Sequence, residues 1–203
     1  MLTKETLLHS TKDLFYKYGI KSVSMDDIAN LLGISKKTIY TFVSNKKELV
    51  HSVIKAFIKE EQKAVAKINS TSDNAIDEMT SIAIYVLQSL KSVKPTLSYD
   101  LKKYHPEAWK LIEVDHFDHI QNIIKNNIQR GINEGYYRKE INVDIYSKLY
   151  IGMSRVMVDI DKFPPENYAI GDLYENIVLY HLHGIMNENG KNTFTNYLKK
   201  IQA

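Results

Sequence analysis

Residues 22–49 read SVSMDDIANLLGISKKTIYTFVSNKKEL, and the spacing inside that stretch decides the architecture. Ser24 followed by Asp26 and Asp27 has the pattern of a capping box: a hydroxyl able to accept a free first-turn amide, then carboxylates at the positive end of the helix. The helix it opens, about 25–32, stops at Gly33, where the missing Cβ permits a left-handed turn. Ser35 then caps a further helix over about 36–43. Only Leu32, Gly33, Ile34 and Ser35 join the two, too few to let them lie antiparallel. A three- or four-residue turn containing Gly gives instead the roughly perpendicular pair of a helix-turn-helix. Ala29 is small where the helices cross, and Ile28, Leu32, Ile34, Ile39 and either Phe42 or Val43 point inward. Lys36, Lys37, Thr38, Tyr40 and Thr41 are left outward, as donors of the kind that meet phosphates and base edges. A recognition helix makes its base contacts from its N-terminal residues, here the stretch Ser35–Thr41.

Working outward, almost every segment has a helical period. Leu7, Thr11, Leu14, Phe15 and Tyr18 share one face ahead of Gly19, and Leu49, Val53, Ala56 and Phe57 share one on a helix beginning near Lys46. Longer helices are predicted over about 47–68, 74–92, 96–103, 107–133, 143–161, 172–188 and 191–202. They are punctuated by a Ser/Thr/Asp run at 70–73, first-turn Pro106, Gly135, Pro164-Pro165 and Gly190. Asp172 and Glu175 fit another capping box. No strand-like alternation and no repeat interrupts the pattern, so the chain reads as all-α.

The 203 residues suffice for two units, and 44% hydrophobic content is ordinary for a globular protein. Cysteine is absent, which removes disulfides and thiolate metal sites. The first residues mix charge with apolar side chains, unlike a secretory leader, and no apolar run approaches roughly 18 residues. A cytoplasmic protein with no membrane partner is expected. Net charge is +3, unevenly spread: the first sixty residues carry ten Lys+Arg against six Asp+Glu, the rest seventeen against eighteen. A basic N-terminal third on a nearly neutral body suggests an anionic partner at one end.

The 22–49 stretch resembles the DNA-binding region of TetR-family transcriptional regulators. Ser24, Asp27, Ile28, Ala29, Gly33, Ile34, Ser35, Thr38, Ile39, Tyr40, Lys46 and Leu49 occupy that family's pattern positions. The resemblance implies an N-terminal three-helix DNA-binding domain over 1–45 and a larger helical-bundle effector-binding and dimerisation domain over 46–203. It implies that Ser24, Thr38, Tyr40 and Lys46 hold phosphates of double-stranded DNA, while Lys36, Lys37 and Thr41 face bases. Amides at the start of the fourth helix would add a phosphate contact. One departure stands out: the family places Phe where this chain has Val43, and Tyr or His where it has Phe42. Phe42 is either a reader of a thymine methyl or a displaced core residue, and its size favours the core.

Past residue 50 the sequence carries no comparable signature. Residues 145–160 set Tyr146, Leu149, Tyr150, Met153, Val156, Met157 and Ile160 on a broad apolar arc, and 173–186 are apolar nearly all round. A helix without a polar face must be covered on both sides. The monomer core can cover one, and the resemblance predicts a two-fold homodimer covering the other, through Tyr146, Gly152, Met153, Ile177, His181 and Gly184. The two glycines would let backbones approach. An effector pocket is expected in the body, with candidates Tyr85, Tyr99, Trp109, His116, Phe117, Tyr146, Tyr150 and Met153. For each, core packing is the competing reading. Their character hints at a hydrophobic or aromatic effector.

Two enzyme readings are weighed and not taken. Glu113 and His116 form an E-x-x-H pair with His119 one turn on, and surface or pocket histidines are the favoured reading over a di-metal bundle. Gly184 to Asn192 approximates a phosphate loop with one residue too many, Asn in place of Ser or Thr, and no preceding strand. Neither a catalytic residue, a metal nor a cofactor is therefore expected. The expected function is a ligand-responsive repressor working as a homodimer on a palindromic operator. The alternative is a helical-bundle small-molecule or metal-binding protein with a non-functional head.

Overall fold

The computed structural model describes residues 3–91, 93–94 and 96–202, and the side chains of 196–202 lie outside what is described. Eleven α-helices are named among these residues: α1 Lys4–Tyr18, α2 Met25–Leu32, α3 Lys36–Tyr40, α4 Lys46–Thr71, α5 Ala75–Leu90, α6 Leu97–Tyr104, α7 Pro106–Lys110, α8 Phe117–Asn133, α9 Val143–Met157, α10 Ile170–Ile185 and α11 Glu188–Gln202. A π-helical turn, Leu111–His116, joins α7 to α8. Among the described residues there is no strand, only one isolated bridge between Tyr137 and Met186. The fold is all-α.

Two compact units divide the chain. The first comprises 1–62 and 92–116, the second 63–91 and 117–203. In the first, Leu7, Phe15, Ile20, Val23, Ile28 and Ile39 share one core with Leu49, Val50, Val53 and Ile54 of α4 and with Leu97, Leu101 and Ala108. The expected boundary after residue 45 is therefore not where the packing divides. The apolar face of the first half of α4 packs into the core of the head, which α6 and α7 complete.

The second unit is built from the end of α4 with α5, α8, α9, α10 and α11. A polar network ties three helix ends together. Arg130 donates to Glu78 at 3.1 Å, to Glu134 at 2.7 Å and to the Ser72 carbonyl at 3.0 Å. Glu78 is fully buried, so this pairing and the 2.8 Å bond from Asn69 offset its desolvation. Asn127 donates to the Ala75 carbonyl and accepts from the Tyr137 hydroxyl at 3.0 Å. The Tyr137 ring lies on Gly131, where a Cβ would fall 2.1 Å from it, so only glycine fits.

Local differences from the sequence reading have physical causes. α3 ends at Tyr40, because the Thr41 hydroxyl turns back onto the Thr38 carbonyl and the chain leaves the helix through a turn. α10 starts at Ile170 after Ala169, with no side-chain cap, so Asp172 lies inside its first turn and opens no capping box. Gly190 lies within α11 and not at a helix end. Its Cβ position would be 2.3 Å from the Tyr136 carbonyl, and it is glycine to allow that approach. The break falls at Met186-Asn187, where Asn187 N donates to Tyr136 O and Arg138 N to Ile185 O.

Candidate nucleic-acid interface

The Ser24 hydroxyl accepts from Asp27 N at 3.1 Å, and Asp27 returns a carboxylate to Ser24 N and Oγ at 2.7 Å each. The bonds from Ser24 hold the Asp27 carboxyl below its ordinary range, so it stays ionised at the helix start. Gly33 closes α2 at φ 63°, ψ 34°, a left-handed cap. Ser35 caps α3, accepting from Thr38 N at 3.1 Å, with the two hydroxyls 2.9 Å apart. Fully buried Ile39 anchors α3 to the core. That anchoring fixes which side chains face outward: Ser35, Lys36, Lys37, Tyr40 and Thr41 are exposed and Thr38 is half-buried. Lys36 lies 3.1 Å from Asp26, leaving Lys37 as the more available of the paired lysines.

The departure at 42–43 resolves against size. Val43 is 3% exposed, while Phe42 packs half-buried against the same core. Val43 holds the inner position and Phe42 flanks it, reversing the expectation. The reason is the early end of α3: residues 41–43 turn, so helical spacing no longer sets their directions.

The start of α4 is held from two sides. Asn45 Oδ1 accepts from Glu48 N at 3.0 Å, and Glu48 accepts from Ser44 N at 2.7 Å. Lys46, assigned to a phosphate by resemblance, donates to the Ile20 carbonyl at 2.7 Å. Burial pulls its pKa below the ordinary lysine value, against the opposing pull of Asp100 and Asp27. The turn between α1 and α2 is clamped again from the α6 region. Asp100 accepts from Lys21 N at 3.0 Å, Lys94 N donates to Tyr16 O at 2.8 Å, and Lys94 Nζ donates to Tyr18 O at 3.2 Å. No sequence signal announces these bonds, which join residues about eighty positions apart.

The candidate pocket residues fall in both units. Tyr99, Trp109 and His116 belong to the first unit, and Tyr85, Phe117, Tyr146, Tyr150 and Met153 to the second. Tyr99 is at the surface under Lys103, and Trp109 donates to Glu113 at 3.1 Å. His116 Nε2 sits 3.7 Å from Glu61, beyond hydrogen-bond reach, and burial pushes the Glu61 carboxyl up to about 7. Glu113 and His116 lie in the π-helical turn, which alters the spacing that an E-x-x-H pair has on an α-helix. Among the described residues, no three His, Cys, Asp or Glu side chains gather as metal ligands.

In the second unit an open groove of about 1230 Å³ runs along α9 and α10. All six residues assigned to the dimer face line it: Tyr146, Gly152, Met153, Ile177, His181 and Gly184. Tyr150 lies beneath, edge-on to His181 with ring centroids 4.9 Å apart. Leu149 and Tyr180, both on the rim, are 57% and 73% exposed.

A capped helix-turn-helix with its polar donors outward, carried on an all-helical body, defines a helix-turn-helix transcriptional regulator. Residues 7–53 match the profile of the bacterial regulatory proteins of the tetR family. The chain is similar to the HTH-type transcriptional regulator YvaF of Bacillus subtilis (strain 168), with 28% identity over 165 residues, covering 81% of this chain and 86% of that one. It is also similar to the HTH-type transcriptional repressor KstR2 of Mycolicibacterium smegmatis (strain ATCC 700084 / mc(2)155), at 21% over 149 residues, 70% of this chain and 71% of that one. A solved TetR-family transcriptional regulator from Agrobacterium tumefaciens shares the fold with a TM-score of 0.71 at 16% identity, covering 89% of this chain and 96% of that one. The tetR-family match thus covers the helix-turn-helix head, and the likeness to the solved regulator extends the shared fold over most of the chain.

Among the described residues, no helix is long and apolar enough to cross a membrane.

Proposed function

We propose that this chain is an effector-responsive repressor that binds a near-palindromic operator as a homodimer. The observation that carries the reading is α3: buried Ile39 fixes the helix so that Lys37, Tyr40 and Thr41 stand outward together. In this reading Ser24, Thr38 and Tyr40 hold phosphates, as does Lys46, which also donates to the Ile20 carbonyl. Lys36, Lys37 and Thr41 are the base readers. Repression draws support from the similarity to a protein named as a repressor.

The dimer reading rests on the α9/α10 groove. Leu149, Val156 and Tyr180 stand exposed along it, and clustered exposed apolar side chains often mark an interface. A second copy about a two-fold axis covers it with the same surface, and it pairs two recognition helices with two half-sites. Nothing lies within 4 Å of a Cβ placed at Gly152 or Gly184, so both positions are open to another backbone. The proposed functional division sets DNA reading in residues 1–45 and effector response and dimerisation in 46–203, although α4 and α6 pack with the head. A hydrophobic or aromatic effector would act by shifting the population toward dimers whose heads are wrongly spaced.

The test pairs two measurements on the intact chain: sedimentation at micromolar concentration, and titration of a mixed pool of genomic duplexes. Two chains per bound site support the proposal. A monomer that binds no duplex contradicts it.

A further inference from the structure

The α1–α2 turn and α6 carry a second basic surface for which α3 does not account. Lys21, Lys102 and Lys103 are exposed. Among the described residues, none of them ion-pairs with a carboxylate. Each ammonium rests on an aromatic ring instead. Lys21 lies 5.3 Å from the centroid of Tyr104, and Lys103 lies 5.6 Å from the same ring and 5.1 Å from Tyr99. Lys103 also donates to the Tyr99 hydroxyl at 2.6 Å. Lys102 lies 4.7 Å from the Trp109 ring. Tyr99 and Tyr104 are edge to face at 6.5 Å, which fixes the two rings relative to each other.

Contact with a ring orders a lysine without cancelling its charge, unlike a salt bridge. Tyr104 thus holds two cations that repel one another, and an anion placed between them would be attracted to both. The start of α4 is near: His105, next to Tyr104, lies in the field of Lys46 and Lys47, with the Asp100 carboxylate opposing them. An extended polyanion passing the start of α4 would meet these lysines next.

We propose that Lys21, Lys102 and Lys103 form a second phosphate-binding surface, gripping the backbone of duplex DNA beyond the base pairs read by α3. The inference rests on the DNA-binding reading above. Spare charge on ordered lysines beside the reading head is what an interface for flanking phosphates requires, because such contacts add affinity without adding base preference.

The probe is a long, labelled, mixed-sequence duplex, titrated with the intact chain over a salt series. The triple variant K21A/K102A/K103A is expected to flatten the log–log salt slope by about 0.9 for each phosphate it no longer neutralises. The base preference of the chain should stay as it is. A control variant, K63A/K67A/K139A, removes the same charge from exposed positions of the second unit and should leave the slope unchanged. A triple-variant slope equal to that of the wild type overturns the proposal. So does an equal flattening in the control, which would make the effect one of net charge. Failure of the wild-type chain to bind any duplex would overturn the DNA-binding reading itself, and this surface with it.

Discussion

The outward faces of the two units are built on opposite terms. On α3 itself, Ile39 turns into the core and the surface carries hydroxyls, amines and one exposed tyrosine, with Leu31 of α2 the exposed apolar neighbour. Along α9 and α10, apolar side chains fill both sides: Tyr174, Val178, Leu182 and Ile185 face the core, while Leu149, Met153, Val156 and Ile177 line an open groove. A polar face suits a hydrated, charged partner that is held and released, and an apolar face suits one that stays. The proposed function follows that difference, with DNA on the first surface and a second copy of the chain on the second.

The sharpest way to break that contrast is to charge the apolar face. Gly184→Arg and Ile177→Arg should each dissociate the dimer, since an unpaired buried charge costs about 3–5 kcal/mol. Gly184 has open space where a side chain would go, so its variant should keep the monomer fold and isolate the interface. Sedimentation showing both variants still dimeric would move the interface to other helices.

Acid should weaken the same face. His181 is 4% exposed, burial lowers its pKa to about 4, and its Nε2 has no hydrogen-bond partner among the described residues. A folded value below the ordinary 6.5 means that the unfolded chain binds more protons between the two. Stability from neutral His181 is therefore complete above about 6.5 and lost as pH falls toward 4, by roughly 3 kcal/mol in all. Melting temperatures of wild type and His181→Leu over that window provide the check. The leucine variant should lose less stability on acidification, and parallel curves would contradict the assignment.

At the head, adding a hydroxyl separates the inner residue from its neighbour. Val43→Thr should cost about 1–3 kcal/mol, because the hydroxyl meets no water in the core. Phe42→Tyr should stay within about 0.5 kcal/mol, as the half-buried ring can turn its oxygen outward. Equal melts for the two would return Phe42 to the inner position. Lys46→Ala should both flatten the salt slope of duplex binding and lower stability by about 0.5–1.5 kcal/mol, since it also removes the bond to Ile20. Tyr40→Ala should weaken binding to all duplexes alike while leaving the salt slope and the melt unchanged, because its neutral hydroxyl displaces no counterion.

The same contrast governs how much was legible in the sequence. Caps, the Gly33 turn and the inward spacing of the helix-turn-helix follow local rules, so Ser24, Gly33 and Ser35 hold the positions their spacing predicts. The two-sided apolar character of α10 is likewise a local property, and it marks a helix that needs cover on both sides. What escaped depends on distant partners. Asp100 holds Lys21, and Gly131 fits the ring of Tyr137, through contacts that leave no pattern along the chain. Gly190 looked like a helix end because glycine often is one, whereas here it makes room for a carbonyl. The residues grouped as an effector pocket fall in both units, since composition says nothing about which unit a side chain joins.

The central claim is that the outward face of α3 reads base pairs. Selection of bound sequences from a random duplex pool tests it, using the wild type beside Lys37→Ala and Thr41→Ala. The account predicts two near-palindromic half-sites for the wild type, with preference relaxed at particular positions in each variant by about 1–3 kcal/mol. Variants that enrich the same sequence as the wild type, with every position unchanged, would contradict it.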